Sequence, residues 1–404
     1  MEEKRFTNPF YIFFLVLPYG ISVGFATVTL PYLLTQNGFP VATTAAIVSI
    51  GVSANIWRFL WAPVADLTLS LRKWYWIGVF ACTATLLWLC LTPFNLKGQL
   101  LLTIIVFVSQ VASTFVVLPV GGFMAHRIAE NKKGMAGGFY QAGNLGGVGL
   151  GGGAGLWLAT HINVTMAGVV LCAVSVLCGL VVLLIKDVEN NKENSIAHQT
   201  VVMGKELMTM IRIPVVLFVM IVLLMPMGTG AAANLFSAIT GDWKVNVDSV
   251  ALVTGLLFGI VSAIGCVIGG YIADKLGVWS GYLIAVSASA ASALLMAALP
   301  YLPPFYIGGV LVYAFGLGLV NATFSALALY ATGKKNASTK YALLSSLANI
   351  PIVYMTNVDG WAHDKYGSKA MLLVESSICF LFVATTLVFL KRLKKKDLLL
   401  KTID

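Results

Sequence analysis

Arg58, Asp66, Asp274, Asp359 and Glu375 stand inside or at the edges of long apolar runs. An ionised side chain in hydrocarbon is costly, and such residues mark ligand sites, proton relays and conformational switches. Arg58 suits an anionic group on a ligand, or snorkelling to the membrane interface. Asp359 and Glu375 flank a short polar turn and are candidates for proton coupling. Glu375 lies deeper in its run than Asp359. Asp66 and Asp274 each end an apolar run as Ala-Asp with basic residues following, which suits a carboxylate facing the positive N-terminus of a neighbouring helix. The four histidines, His126, His161, His198 and His363, show no metal-ligand spacing, and no G-x-x-x-x-G-K-[ST] loop occurs. No reactive cluster accompanies these residues. The expectation is therefore neither an enzyme nor an ATP-driven pump, with no metal and no cofactor.

Uncharged polar and aromatic residues are more numerous in the same runs. Tyr19, Gln110, Tyr140, Gln141, Asn144, Asn234, Asn321, Asn349 and Tyr354 are candidate contacts for a polar, sugar-like or amide-rich solute. Taken singly, each also serves as hydrogen-bonding glue between helices. Gly143, Gly147, Gly151 and Gly155 recur every four residues. That spacing makes a groove without side chains, which lets a second helix approach closely. The G-x-G-x-x-G pattern inside this stripe lacks the strand that a nucleotide fold requires.

The elements that must hold these residues are set by composition. The chain has 404 residues, 59% hydrophobic and 10% charged, with six cysteines scattered through apolar segments. Its mean hydropathy is +0.89. Soluble domains carry roughly 25% charged residues, so lipid is the expected solvent. The cysteines read as small buried hydrophobes. The net charge of +10 shows no basic patch interleaved with aromatics, so nucleic acid is not expected as a partner. Lys4 and Arg5 lead straight into an apolar run that reads as a first helix rather than a cleaved signal.

Apolar runs long enough to cross a bilayer predict helices over 9–34, 40–65, 74–93, 98–126, 134–160, 162–185, 213–240, 249–273, 279–300, 304–332, 338–362 and 368–390. The expected layout is a bundle over 1–185, a linker over 186–212, a second bundle over 213–390 and a basic tail over 391–404. With the N-terminus inside, 21 of the 26 Lys and Arg fall on the inner side. Only Lys97, Lys244, Lys365 and Lys369 fall outside, and Arg58 lies within the second run. This asymmetry predicts cytoplasmic termini. The halves also repeat one another. Ala65-Asp66 matches Ala273-Asp274, Lys132-Lys133 matches Lys334-Lys335, and Trp157 matches Trp361.

An internal duplication of six-helix units, with Gly265, Gly269, Gly270, Tyr271, Ala273, Asp274, Lys275 and Gly277 at the hinge between the eighth and ninth runs, resembles the major facilitator superfamily. The fold expected is therefore an all-α membrane protein of about twelve helices in two pseudo-symmetric bundles. Crossed latches are expected on the inner side, Asp66 with the helix start near Ser338 and Asp274 with the one near Lys133.

The run Trp57-Arg58-Phe59-Leu60-Trp61-Ala62-Pro63-Val64-Ala65-Asp66 resembles the peptide–acetyl-coenzyme A–drug transporter branch, as in muropeptide permeases of the AmpG type. Lys340-Tyr341-Ala342-Leu343-Leu344-Ser345-Ser346-Leu347-Ala348-Asn349 is similar to the start of their eleventh helix. The resemblance implies proton-coupled import of a muropeptide-, acyl-coenzyme A- or siderophore-like solute across a bacterial inner membrane. Asn144 departs from the arginine those permeases tend to carry. The expectation is a monomeric proton symporter. An uncoupled facilitator, an exporter, or a membrane-embedded enzyme or sensor are the alternatives.

Overall fold

The computed structural model describes residues 7–129, 132–187, 201, 204–205, 208–332 and 337–395. Within helices, the side chains of 59, 62–67, 133–134, 332, 337–339, 342 and 393–395 lie outside the description.

Twelve helices run through the described residues. They are α1 (Phe10–Gln36), α2 (Val41–Leu67), α3 (Leu71–Leu91), α4 (Gln99–Arg127), α5, α6 (Val164–Leu184), α7 (Pro214–Leu224), α8 (Val247–Leu276), α9 (Val278–Ala298), α10 (Pro303–Thr332), α11 and α12. Helix α5 comprises Lys133–Gly149, a π turn over Leu150–Ala154 and Gly155–His161. The last two helices are the pieces of Ala337–Lys395 before and after Gly367, whose φ of 82° breaks the rod. An even number of crossings puts both ends of the chain on one face. We call that the termini side, and the other the distal side.

Within the first bundle, the α5 glycines lie against the α1 backbone. A Cβ at Gly143 would fall 2.3 Å from the Phe13 carbonyl oxygen, at Gly147 2.6 Å from that of Leu17, and at Gly151 1.9 Å from that of Ile21. The Thr29 hydroxyl seals the crossing by donating to the Gly151 and Gly152 carbonyls at 2.9 and 3.0 Å. A methyl group at Gly151 has nowhere to go, whereas one at Gly146 meets nothing nearer than 3.8 Å. Gly151→Ala is therefore expected to destabilise by at least the roughly 1–3 kcal/mol of ordinary overpacking. Gly146→Ala should be silent. Thermal unfolding of the two variants in detergent checks the pair.

In the second bundle Gly265 and Gly318 play the same part between α8 and α10. Their added Cβ atoms would meet the Phe315 and Ser262 carbonyl oxygens at 2.3 and 2.1 Å.

The seventh helix departs from expectation. The sequence predicts a span over 213–240, yet α7 stops at Leu224. Eleven residues rise only about 16 Å, against a hydrocarbon core of about 30 Å. Pro226 lacks an N–H, and Gly228 and Gly230 take φ of 61° and 69°. Beyond them the chain continues as two 3-10 turns, Ala231–Asn234 and Thr240–Trp243. Non-helical backbone at this depth needs cover by protein. It has that cover, for Ala231, Ala232, Leu235, Phe236 and Trp243 are all fully buried.

The bundles meet in two crossings on the distal side. In one, a Cβ at Gly360 of α11 would lie 2.4 Å from Ala45 Cβ of α2. Asn357 Nδ2 donates to Ser49 Oγ there at 2.7 Å. In the other, a Cβ at Gly255 of α8 would lie 2.4 Å from Gly153 Cα of α5. His161 Nε2 stands 3.4 Å from Asp248 Oδ1 at the end of that crossing.

Candidate functional site

Two groups of polar residues stand out, one in each bundle. The first surrounds Glu375 on α12. Its Oε1 accepts a hydrogen bond from the Tyr313 hydroxyl of α10 at 2.7 Å, and its Oε2 is buried without a partner. Asp359, on α11, is fully buried, within electrostatic reach of Glu375, and neither of its oxygens has a partner. No lysine or arginine pairs with either carboxylate among the described residues. The opened backbone after α7 closes one side. A cavity of about 10 Å³ beside Glu375 is bordered by Pro226, Gly228, Thr229 and Ser289.

This arrangement alters what the sequence suggests about depth. The sequence puts Asp359 at an outer turn and Glu375 on a peripheral helix. In the fold α11 runs on to Tyr366, which buries Asp359. Helix α12 turns Glu375 inward beneath the break in α7. Cys379, one helical turn on, faces α9 through a 3.6 Å contact to the Val286 carbonyl.

The second group surrounds Arg58 on α2. It is half-buried, and no ion pair engages it among the described residues. Tyr19 and Tyr140 lie within its electrostatic range, and Tyr341 of α11 is in range of Tyr140 from the opposite bundle. The Tyr19 hydroxyl donates to Asn55 Oδ1 at 3.1 Å. Gln141 is exposed, and Asn144 has a buried side-chain oxygen with no partner. Arg58, Tyr19 and Tyr140 thus come from three helices of one bundle, with Tyr341 supplied by the other.

Other candidates are engaged elsewhere. Gln110 is buried and donates to the Ser22 carbonyl and hydroxyl at 3.2 and 3.1 Å, tying α4 to α1. Asn234 donates to Thr356 Oγ1 at 3.1 Å beside the α7 break. Asn349 bonds the Ser345 carbonyl of its own helix at 2.7 Å, and Asn321 is exposed. The Tyr354 hydroxyl donates at 2.8 Å to the carbonyl of Leu224, the last residue of α7. Asp274 is exposed. The side chains of Asp66, Lys133 and Ser338 lie outside the described residues.

A third cluster, not singled out from the sequence, sits at the distal surface. His363 Nε2 is 3.2 Å from Asp242 Oδ2, and its Nδ1 is 3.4 Å from Asp364 Oδ1. Ser368 also donates to Asp242. The hydrogen bond from His363 holds the Asp242 carboxyl below the ordinary carboxylate range. A depressed folded value means the contact stabilises above the unfolded value and is lost as pH falls through the folded one. Asp242→Asn is expected to lower the melting temperature at pH 7. The gap from the unmodified protein should close as pH drops below about 4. Unfolding curves across that range test it.

The sequence family decides between the possible uses of such a fold. The family model described as Major Facilitator Superfamily matches residues 12–356. The chain belongs to the major facilitator superfamily. It is a multi-pass membrane transporter rather than an enzyme. Solved transporter structures superpose on most of the chain. A nucleoside transporter, NupG, gives a TM-score of 0.70 at 12% identity over 94% of this chain and 99% of that one. A D-xylose–proton symporter gives 0.70 at 12% identity over 94% and 96%. A peptide transporter, POT, in complex with sulfate gives 0.72 at 12% identity over 95% and 94%. At such identity the likeness is one of fold. No curated protein sequence matches this chain significantly.

Proposed function

We propose that this major facilitator protein is a proton-driven symporter that imports a medium-sized polar organic solute by alternating access. The observation that carries the reading is the Glu375–Asp359 pair, buried within electrostatic reach of each other with Oε2 of Glu375 and both Asp359 oxygens unpaired, and with no lysine or arginine pairing with either among the described residues. Two carboxylates in such a site cannot both ionise without a compensating cation, so protons must enter and leave as the site changes its exposure.

Arg58 with Tyr19, Tyr140 and Gln141 forms the substrate site, joined by Tyr341 when the bundles close on it. A fixed cation among phenols favours a solute with an anionic group and apolar or sugar-like faces. Muropeptide-, acyl-coenzyme A- and siderophore-like solutes share that chemistry, in line with the resemblance of 57–66 to the muropeptide permease branch. Asn144 in place of an arginine lowers the charge the site can match.

The distal crossings close the route on one side, and Asp66 and Asp274 latch the other when the bundles rock. We place the termini in the cytoplasm of a bacterial inner membrane, and the protein works as a monomer.

Proteoliposomes loaded with a pH-sensitive dye test the proposal. Muropeptides, coenzyme A esters, siderophores, sugars and peptides are added one class at a time. Substrate-triggered acidification by one class supports symport and names the solute. Radiolabelled uptake of a solute with no change in dye signal overturns the coupling and leaves a facilitator.

A further inference from the structure

We infer that the distal seam between the bundles is a pH-dependent gate, held shut while His363 is protonated and loosened when its ring is neutral. The inference needs only that the bundles rock against each other, and it stands whichever ion or solute the carrier moves.

The first argument is hydrogen bonding. His363 lies near the distal end of α11 with a carboxylate facing each ring nitrogen. Nε2 is 3.2 Å from Asp242 Oδ2, and Nδ1 is 3.4 Å from Asp364 Oδ1. A neutral imidazole has one N–H and one lone pair, so in either tautomer one of these contacts sets acceptor against acceptor. Only the charged ring donates to both. Histidine is also the side chain whose ordinary charge change falls between pH 5 and 8.

The second argument is what each carboxylate is fixed to. Asp242 belongs to the second turn after α7 and also accepts from the Ser368 hydroxyl of α12. Asp364 reaches across the seam, where Oδ1 accepts from Val41 N at 3.0 Å and Oδ2 from Ala42 N at 2.9 Å. With the seam closed, both carboxylates are therefore pinned against the ring. With it open, Asp364 is released from α2 and can turn its oxygens from Nδ1 to water. The closed state thus needs the proton more than the open state does. The state that holds a proton more tightly gains as pH falls. The other seam carries a contact of the same type. His161 Nε2 of α5 faces Asp248 Oδ1 of α8 at 3.4 Å, a pair that attracts as ions only when the ring is charged. Both side chains there are more exposed, so its share is smaller.

The charged surroundings of His363 are simple. Asp242 and Asp364 are the charges that act on the ring. The start of α2 presents Pro40, Val41 and Ala42, none of which titrates. Lys365 Nζ lies over the Trp361 and Tyr366 rings, and Lys369 Nζ over that of Tyr301. Lys244 is exposed. Asp359, one turn earlier on α11, is buried within reach of Glu375.

The test measures the gate directly. Leu96→Cys and Leu302→Cys place spin labels on exposed distal loops of opposite bundles, in a background without the six native cysteines. Distance distributions in lipid nanodiscs then give the open fraction without labelling chemistry that itself depends on pH. The open fraction is expected to rise by about threefold or more from pH 5.5 to pH 8, within the range that one hydrogen bond commands. Glu375→Gln should keep that rise, and His363→Gln should lose it. Asp242→Asn should lose it as well, because an amide can donate to a neutral Nε2. This second variant keeps the inference testable if His363→Gln does not fold. A flat or falling open fraction in the folded parent overturns the inference. So does a rise undiminished in both His363→Gln and Asp242→Asn. A rise that vanishes in Glu375→Gln overturns it too, and places the response in the buried carboxylates instead.

Discussion

Glu375→Gln is expected to abolish uphill uptake driven by a pH gradient while leaving exchange of labelled for unlabelled substrate intact. An imposed gradient of about 2 pH units is worth about 2.7 kcal/mol per proton, at 1.36 kcal/mol per unit. One coupled proton therefore sustains about 100-fold accumulation, and an uncoupled carrier sustains none. Glutamine keeps the shape of the side chain and an oxygen to accept from the Tyr313 hydroxyl, so the contact at 2.7 Å survives. What it removes is the titration. Exchange needs only that the loaded carrier reorient, which a permanently neutral side chain allows. The variant is thus expected to equilibrate substrate and never concentrate it. Asp359→Asn should give the same split, since its oxygens share the burial and have no donor to lose. Unchanged accumulation in both variants would move the proton site out of this bundle. Loss of both accumulation and exchange in folded protein would instead place Glu375 in the reorientation step.

Much of the scaffold behind that site is legible in the sequence because it depends on short-range patterns. Gly143, Gly147, Gly151 and Gly155 can line one face of a helix only if something approaches that face, and α1 does. Hydropathy marks eleven of the spans, since length and apolarity are local properties. The twelfth, α7, shows why length is not enough. Met225-Pro226-Met227-Gly228-Thr229-Gly230 is apolar enough to pass as helix, while its proline and glycines carry the signal that it is not. Reading those residues as punctuation would have placed the break.

The environment of Asp359 and Glu375 depends on that break, more than a hundred residues earlier in the chain. No local pattern around either carboxylate states whether it faces lipid, water or an unwound helix. Gln110 illustrates the same limit. A lone amide in an apolar run looks like a ligand contact, and only the neighbour Ser22 shows that its donors are already used.

The least legible feature joins the two bundles, and it carries the second large effect. Helix α2 begins after Pro40, which supplies no side-chain cap. Its first N–H groups need acceptors. Asp364 of the other bundle supplies them, accepting from Val41 and Ala42 at 3.0 and 2.9 Å. The equivalent helix start in the second bundle has its own cap, Asn246, which accepts from Ser249 N at 2.8 Å. The bundles are therefore tied at α2 by a cap given in trans, and opening the distal side must break it. Removing an N-cap costs about 0.5–2 kcal/mol. Here that cost falls on the closed state alone, because the open state has already lost the contact.

Asp364→Ala is accordingly expected to raise the distally open population by roughly 2- to 30-fold, the factor that 0.5–2 kcal/mol commands. Ser49, buried at the same crossing and bonded to Asn357, reports the change once replaced by cysteine in a background without the six native cysteines. Its labelling by an impermeant maleimide added on the distal side should speed up by that factor. His161→Ala, which removes a partly exposed pair with Asp248, should change labelling far less. Equal rates with and without the Asp364 carboxylate would mean that the glycine crossing at Gly360 holds the distal side shut unaided.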